Sequence, residues 1–411
     1  MPLGAEKIAL MGTSGAASSP NYFGDGSLGN CQFGASAITQ SGDSVAIDTV
    51  LSTGSEAGGP GSSSYGGTNV PYTSACYELS VIDDSGYDAD MVVANFKDLT
   101  IDASVTLTTK ETCRGLLCYV RGDCTINGAL SMTARGGYSD PTTAGGSDNA
   151  VVNASGLQLG LVVDGTSQTL AAATFAGSGD AAVAAVGNQD ALDSNGTIFV
   201  ISKLGGSGAP SHSNGASYGQ TGHTGGAGTT GGNTISTAGG GSGGAFGQTC
   251  CSNSGTGGAG GAFSGGPGSG AAMQNQSTAN SGNAGNYGAA GGNGAGNWGG
   301  ASGAGNPGPS GSNYNGVGGI IWLLVDGDLT IGASGTIEAK GSRGTPGQTN
   351  PGSGAAGSGG GAIMVLYVGT LTNNGSITAA GGDGGGNGGG NVSNGGPGGA
   401  GGVQTAQIDG T

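Results

Sequence analysis

Three stretches of the chain share one succession of apolar and polar positions. Gly115–Gly136 reads GLLCYVRGDCTINGALSMTARG, Gly319–Gly341 reads GIIWLLVDGDLTIGASGTIEAKG, and Gly361–Gly381 reads GAIMVLYVGTLTNNGSITAAG. Each opens on glycine, runs through five or six apolar residues, and turns. A short alternating segment follows, such as Cys124–Ile126 or Leu329–Ile331, then a second turn on Gly or Asn, then a third alternating segment. The unbroken apolar run predicts a strand buried on both faces. The alternating segments predict strands with apolar side chains inward and hydroxyls outward. Asp98–Thr108 matches the second and third segments, and Asn195–Gly205 opens like the first before passing into glycine.

This order of strand, turn, strand and glycine tract predicts a mainly β fold with little α-helix. Its short strands stack as the rungs of a β-solenoid. Unrelated strands of a jelly roll or sandwich are the alternative. Four regions follow: a loop-rich N-terminal head or attachment region at 1–90, a β-rich repeat domain at 91–204, a glycine-rich insert at 205–318, and β rungs with glycine-rich inserts at 319–411. An alanine-rich piece at 170–186 is the one helix candidate, weakened by Gly177 and Gly179.

Glycine changes this picture most. It fills 100 of the 411 positions, against about 7% in ordinary domains, so one large side-chain core is not expected. In the long insert glycine recurs at every third residue, as at Gly219, Gly222, Gly225, Gly228 and Gly231, and again from Gly282 to Gly294. Shorter runs recur at Gly354, Gly357 and Gly360 and at Gly395, Gly398 and Gly401. A period of three is that of a polyproline II helix. Glycine at each third position gives such a helix a Cβ-free edge, so polyglycine II helices can pack side by side and bond laterally. The competing reading is a flexible linker. Leu204–Val325 carries no Asp, Glu, Lys or Arg, whereas disordered chains generally use charge to stay soluble.

The net charge of −16 argues against nucleic acid or an anionic membrane as partner. No basic segment with a long apolar run follows Met1, so no secretory signal is expected. The seven cysteines are irregularly spaced. Cys113, Cys118 and Cys124 lack a nearby fourth ligand, so buried small hydrophobes are expected in place of a metal site. His212 and His223 have no acid or Cys neighbours. Asp83, Asp84, Asp88 and Asp90 read as a solvated turn without the spacing of a calcium loop. Asp123 and Asp328 fall at matching turns, where aspartate bonds its own backbone. No catalytic residue, cofactor or metal is therefore expected, and the chain is not expected to be an enzyme. Tyr287, Trp298 and Tyr314 stand in the uncharged tract as candidates for surface binding, since aromatic faces among neutral hydrogen-bonding groups suit sugars. Covering the edge of the glycine layer is their alternative role.

Tyr22–Ser27 (YFGDGS), Cys113–Gly128 (CRGLLCYVRGDCTING) and strands of the form NGSITAAGG followed by glycine triplets resemble glycine-rich tail-fibre and tail-tip proteins of marine and cyanobacterial phages. The 205–402 region is similar in composition to the polyglycine-helix regions of phage tail adhesins. The resemblance implies a virion structural protein that contributes to host-surface attachment and is extracellular after release. It implies other virion proteins as partners, with a host glycan or outer-membrane receptor as target and a homo-oligomer such as a trimer as its state. A capsid-decorating protein and an extracellular adhesin or filament subunit of a cell are the alternatives.

Overall fold

The computed structural model describes residues 23–43, 45, 47, 49–52, 75–79, 92–109, 115–135, 162–163, 166–167, 201–202, 236–237, 318–341, 343, 357–384 and 396–407. Among them all regular structure is β-strand. The helix expected at 170–186 lies outside these residues.

The strands are β1 (Asn30–Phe33), β2 (Ile38–Ser41), β3 (Thr49–Ser52), β4 (Cys76–Leu79), β5 (Val92–Phe96), β6 (Asp98–Ile101) and β7 (Thr106–Thr109). Next come β8 (Gly115–Val120), β9 (Cys124–Ile126), β10 (Ala129–Ser131), β11 (Val162–Val163), β12 (Thr166–Ser167), β13 (Ile201–Ser202) and β14 (Ser236–Thr237). The last are β15 (Ile320–Val325), β16 (Leu329–Ile331), β17 (Thr336–Glu338), β18 (Ala362–Tyr367), β19 (Leu371–Asn373), β20 (Ser376–Thr378) and β21 (Gly402–Gln407).

Three mostly parallel sheets contain nearly all of them, and none closes into a barrel. The first sheet has the order β21-β18-β15-β8-β5, the second β19-β16-β9-β6-β1-β2, and the third β20-β17-β10-β7-β4-β3. The chain visits the sheets in rotation. β5, β6 and β7 form one three-strand unit, with β8–β10, β15–β17 and β18–β20 as the next three. Each strand pairs in parallel with its counterpart one unit away, so a residue's neighbour across the sheet is its repeat equivalent. Leu323 thus pairs with Cys118 and Val365, and Thr330 with Thr125 and Thr372.

The alternation read in the sequence sets what this stacking buries. Phe96, Val120 and Val325 point inward from the first sheet, Leu99, Cys124 and Leu329 from the second, and Leu107, Leu130 and Ile337 from the third. They form one core running through all the units, contrary to what the glycine content suggests, because the glycines gather between the strands and leave the strands themselves apolar. Burying each large aliphatic side chain contributes roughly 1.5–3 kcal/mol. The first sheet is also buried on its other face. Leu117, Trp322, Met364 and Leu366, out of register with the inward row, are nearly inaccessible. This explains why β8, β15 and β18 are unbroken apolar runs.

The stack begins within the portion whose sequence reads as loop-rich. β1 pairs in parallel with β6, and β4 with β7. Antiparallel β2 and β3 then cover the outer edges of β1 and β4. Phe33 packs edge-on against Tyr77 and Phe96, with ring centroids 5.3 and 6.1 Å apart, and the Tyr77 hydroxyl donates to the Gly34 carbonyl at 2.6 Å.

Candidate functional site

Where the third sheet hands over to the first, the strands are joined by long excursions, residues 132–319 from β10 to β15, 339–361 from β17 to β18 and 379–401 from β20 to β21. The excursion bases are held by equivalent bonds. Gly319 N–H donates to Met132, Gly361 to Ala339 and Gly401 to Ala379, at 3.3, 2.7 and 2.6 Å. Returning segments also bond one another. Gly318 N–H donates to Gly359, Gly357 to Gly396 and Gly360 to Gly399, at 3.0, 2.8 and 3.0 Å.

These donors carry a period. Gly357 and Gly360, three residues apart, both bond the 396–399 segment. Between them, the Ser358 carbonyl accepts from Gly382 on a different neighbour, and Gly382 accepts in turn from Gly398, both at 2.8 Å. Bonding direction therefore changes from one residue to the next and returns after three. Glycine is required here by close approach. A Cβ on Gly361 would overlap the Gly319 carbonyl oxygen, one on Gly401 that of Gly361, and one on Gly398 that of Ser358.

A column of aspartates lines the turn between the first and second sheets. Asp98 Oδ1 accepts the N–H of Asp123 at 3.0 Å, Asp123 Oδ1 that of Asp328 at 2.9 Å, and Asp328 Oδ1 that of Thr370 at 2.7 Å. The carboxylates bond the next unit's backbone, whereas the sequence pointed to their own turn. Asp123 and Asp328 are exposed on this turn.

The outer face of the third sheet holds buried polar groups instead. Arg135 pairs with Glu78 at 2.7 Å. Glu338 accepts from the Ser131 hydroxyl at 3.1 Å and pairs with Lys340. By register Glu78 and Glu338 stand three strand spacings apart, about 14 Å at the usual 4.8 Å per strand. Glycosidase carboxylates work at about 5–9.5 Å, so this pair is too far apart for that chemistry.

Cys31, Cys76, Cys118 and Cys124 are buried, as small hydrophobes in the apolar rows. Burial pushes the Cys118 thiol up to about 12. It also raises Cys124, with smaller contributions from Cys118 and Asp123. Cys31 is raised to about 11 by burial and then by Asp43. No group of three potential metal ligands occurs among the described residues.

Tyr287, Trp298 and Tyr314 lie outside the described residues, as do His212, His223 and the Asp83–Asp90 cluster. The lateral glycine contacts fall in the short tracts around 357–361 and 396–401. The triplets there were visible in the sequence, but their bonding partners were not. No protein-family model, curated protein or solved structure matches the chain.

Proposed function

We propose that this chain is a structural protein of a phage particle, a tail-fibre or tail-tip component contributing to host-surface attachment. In this reading the three-strand units are rungs of a three-sided β-solenoid. The glycine segments at one of its corners are polyglycine II helices, packed into a rigid layer that the solenoid holds in place. The observation that carries the scaffold is the three-residue return of the bonds from Gly357 and Gly360 to one neighbour, with Ser358 facing another. A three-fold screw repeats its direction in this way, and a two-residue β pleat does not. The large entropy cost of ordering glycine is then offset cooperatively, since each helix is bonded on several sides.

The assignment to a phage tail draws on the sequence resemblance. A net charge of −16 suits it, since an acidic fibre does not adhere to nucleic acid released at lysis. The partners in this reading are other virion proteins and a neutral glycan or outer-membrane receptor on the host, reached through Tyr287, Trp298 and Tyr314. Immunogold labelling of intact particles tests the reading. Label at the tail tip or fibres is expected; label over the capsid shell, or none on any particle, defeats it. Amide exchange tests the scaffold separately. Gly357, Gly360 and Gly398 are expected to exchange slowly, and exchange at the rate of an unstructured peptide refutes ordered helices.

A further inference from the structure

Among the described residues two Asn–Gly pairs occur, at equivalent turns between the second sheet and the third. Asn127–Gly128 joins β9 to β10, and Asn374–Gly375 joins β19 to β20. An Asn–Gly pair is open to one reaction in particular. Glycine has no Cβ to hold its amide nitrogen away from the preceding side-chain carbonyl.

The two pairs are held differently. Asn127 lies inside the stack. Its N–H and that of Gly128 both donate to the Ile101 carbonyl of the preceding unit, at 2.8 and 3.2 Å. From the following unit the Ser334 hydroxyl donates to the Asn127 carbonyl at 2.8 Å, and a Cβ on Gly332 would overlap Asn127 Oδ1. Gly128 is buried. Asn374 lies at the end of the stack, because β19 and β20 are edge strands of their sheets. Its N–H donates to the Ile331 carbonyl of the preceding unit at 2.9 Å, and its side chain is exposed. The Gly375 N–H donates within the turn, to Asn373 Oδ1 at 3.1 Å.

We propose that Asn374 is a site of spontaneous deamidation, and that stacking protects Asn127 from the same reaction. The Gly375 nitrogen forms a bond to Asn374 Cγ, the Cγ–Nδ2 bond breaks, and ammonia leaves with the proton from the Gly375 nitrogen. Water then opens the cyclic imide at one of its two carbonyls, leaving isoaspartate or aspartate at position 374. Ring closure requires the asparagine backbone and side chain to rotate, so every bond that holds the turn must open first. Asn127 is gripped by the units on both sides of it, whereas Asn374 is bonded to the preceding unit alone among the described residues. Isoaspartate adds a negative charge and an extra backbone carbon to the β19–β20 turn. The outermost unit therefore ages first, while the inner ones keep their register. The proposal does not depend on the chain belonging to a virion.

Peptide mapping of the full chain after incubation in mildly alkaline buffer tests this, with fragmentation that separates isoaspartate from aspartate. Conversion at Asn374 is expected to run about tenfold faster than at Asn127, as one or two further hydrogen bonds must open there. In concentrated urea the two rates are expected to converge, since only the fold distinguishes the pairs. Equal rates in the folded chain, faster conversion at Asn127, or no conversion at Asn374 while the unfolded chain reacts would each overturn the proposal. So would a difference that persists undiminished in urea, because it would belong to the local sequence and not to the stacking.

Discussion

The Oδ1 oxygen of Asp123 accepts the backbone N–H of Asp328 at 2.9 Å across 205 residues of sequence. Each aspartate in the column thus ties its own unit to the next. Asp123→Ala is expected to lower stability by about 1 kcal/mol, since it removes a charge-assisted bond on an exposed turn. Asp123→Asn keeps an acceptor oxygen and removes a like charge from the column. Its stability is expected to stay within about 0.5 kcal/mol of the parent, with any gain greatest at low salt. Urea unfolding of both variants at two ionic strengths checks this.

Glycines at different places are needed for different reasons, and alanine separates them. Gly361 leaves no space for a Cβ beside the Gly319 carbonyl, so Gly361→Ala is expected to cost about 2 kcal/mol or more through overpacking. Gly42 has φ +70° and nothing within 4 Å of the added atom. Gly42→Ala should therefore cost only the left-handed backbone strain, about 1 kcal/mol. Unfolding midpoints that fall equally for the two would refute the steric account.

The buried thiols set an alkaline limit. In the unfolded chain a cysteine ionises near 8.5, while in the fold Cys118 is pushed up to about 12. Between these values the unfolded state binds fewer protons than the folded state. Stability is then fully present below about pH 8.5 and is lost as pH rises toward 12. Urea midpoints are expected to fall between pH 8 and pH 10.5, and less steeply in Cys118→Val. At pH 8 iodoacetamide is expected to spare Cys118 and Cys124 until the protein unfolds.

The units on either side of the longest excursion pair directly, β8 with β15 and β9 with β16. At the same corner β7 reaches β8 through residues 110–114 alone. Joining Arg135 to Gly318 through five residues is therefore expected to preserve the sheets. Slow amide exchange at Cys118 and Leu323 measures this. Fast exchange there would mean that the excursion is needed to hold the units together.

The three full copies were legible because each strand type has its own pattern, and parallel stacking in register puts like residues over like. Ile126 above Ile331 is such a match. β1 and β4 escaped because NCQF and CYEL have no glycine-framed apolar run, and residues 34–75 separate them. The aspartate column was half legible. Asp123 and Asp328 shared a position, but their bonds run between units, and a single copy of the repeat contains only one end of each. The buried outer row of the first sheet could be read as apolar from the unbroken runs of β8, β15 and β18.

Because each excursion starts and finishes at neighbouring backbone atoms, its length bears little on the register of the strands. The entropy of closing a loop grows only as the logarithm of its length, about 0.6 kcal/mol per doubling for a flexible chain. Segments between Met132 and Gly319, Ala339 and Gly361, or Ala379 and Gly401 can thus lengthen, shrink or exchange without shifting any strand's register. The seam where those bonds lie is where descendants of this sequence are free to diverge.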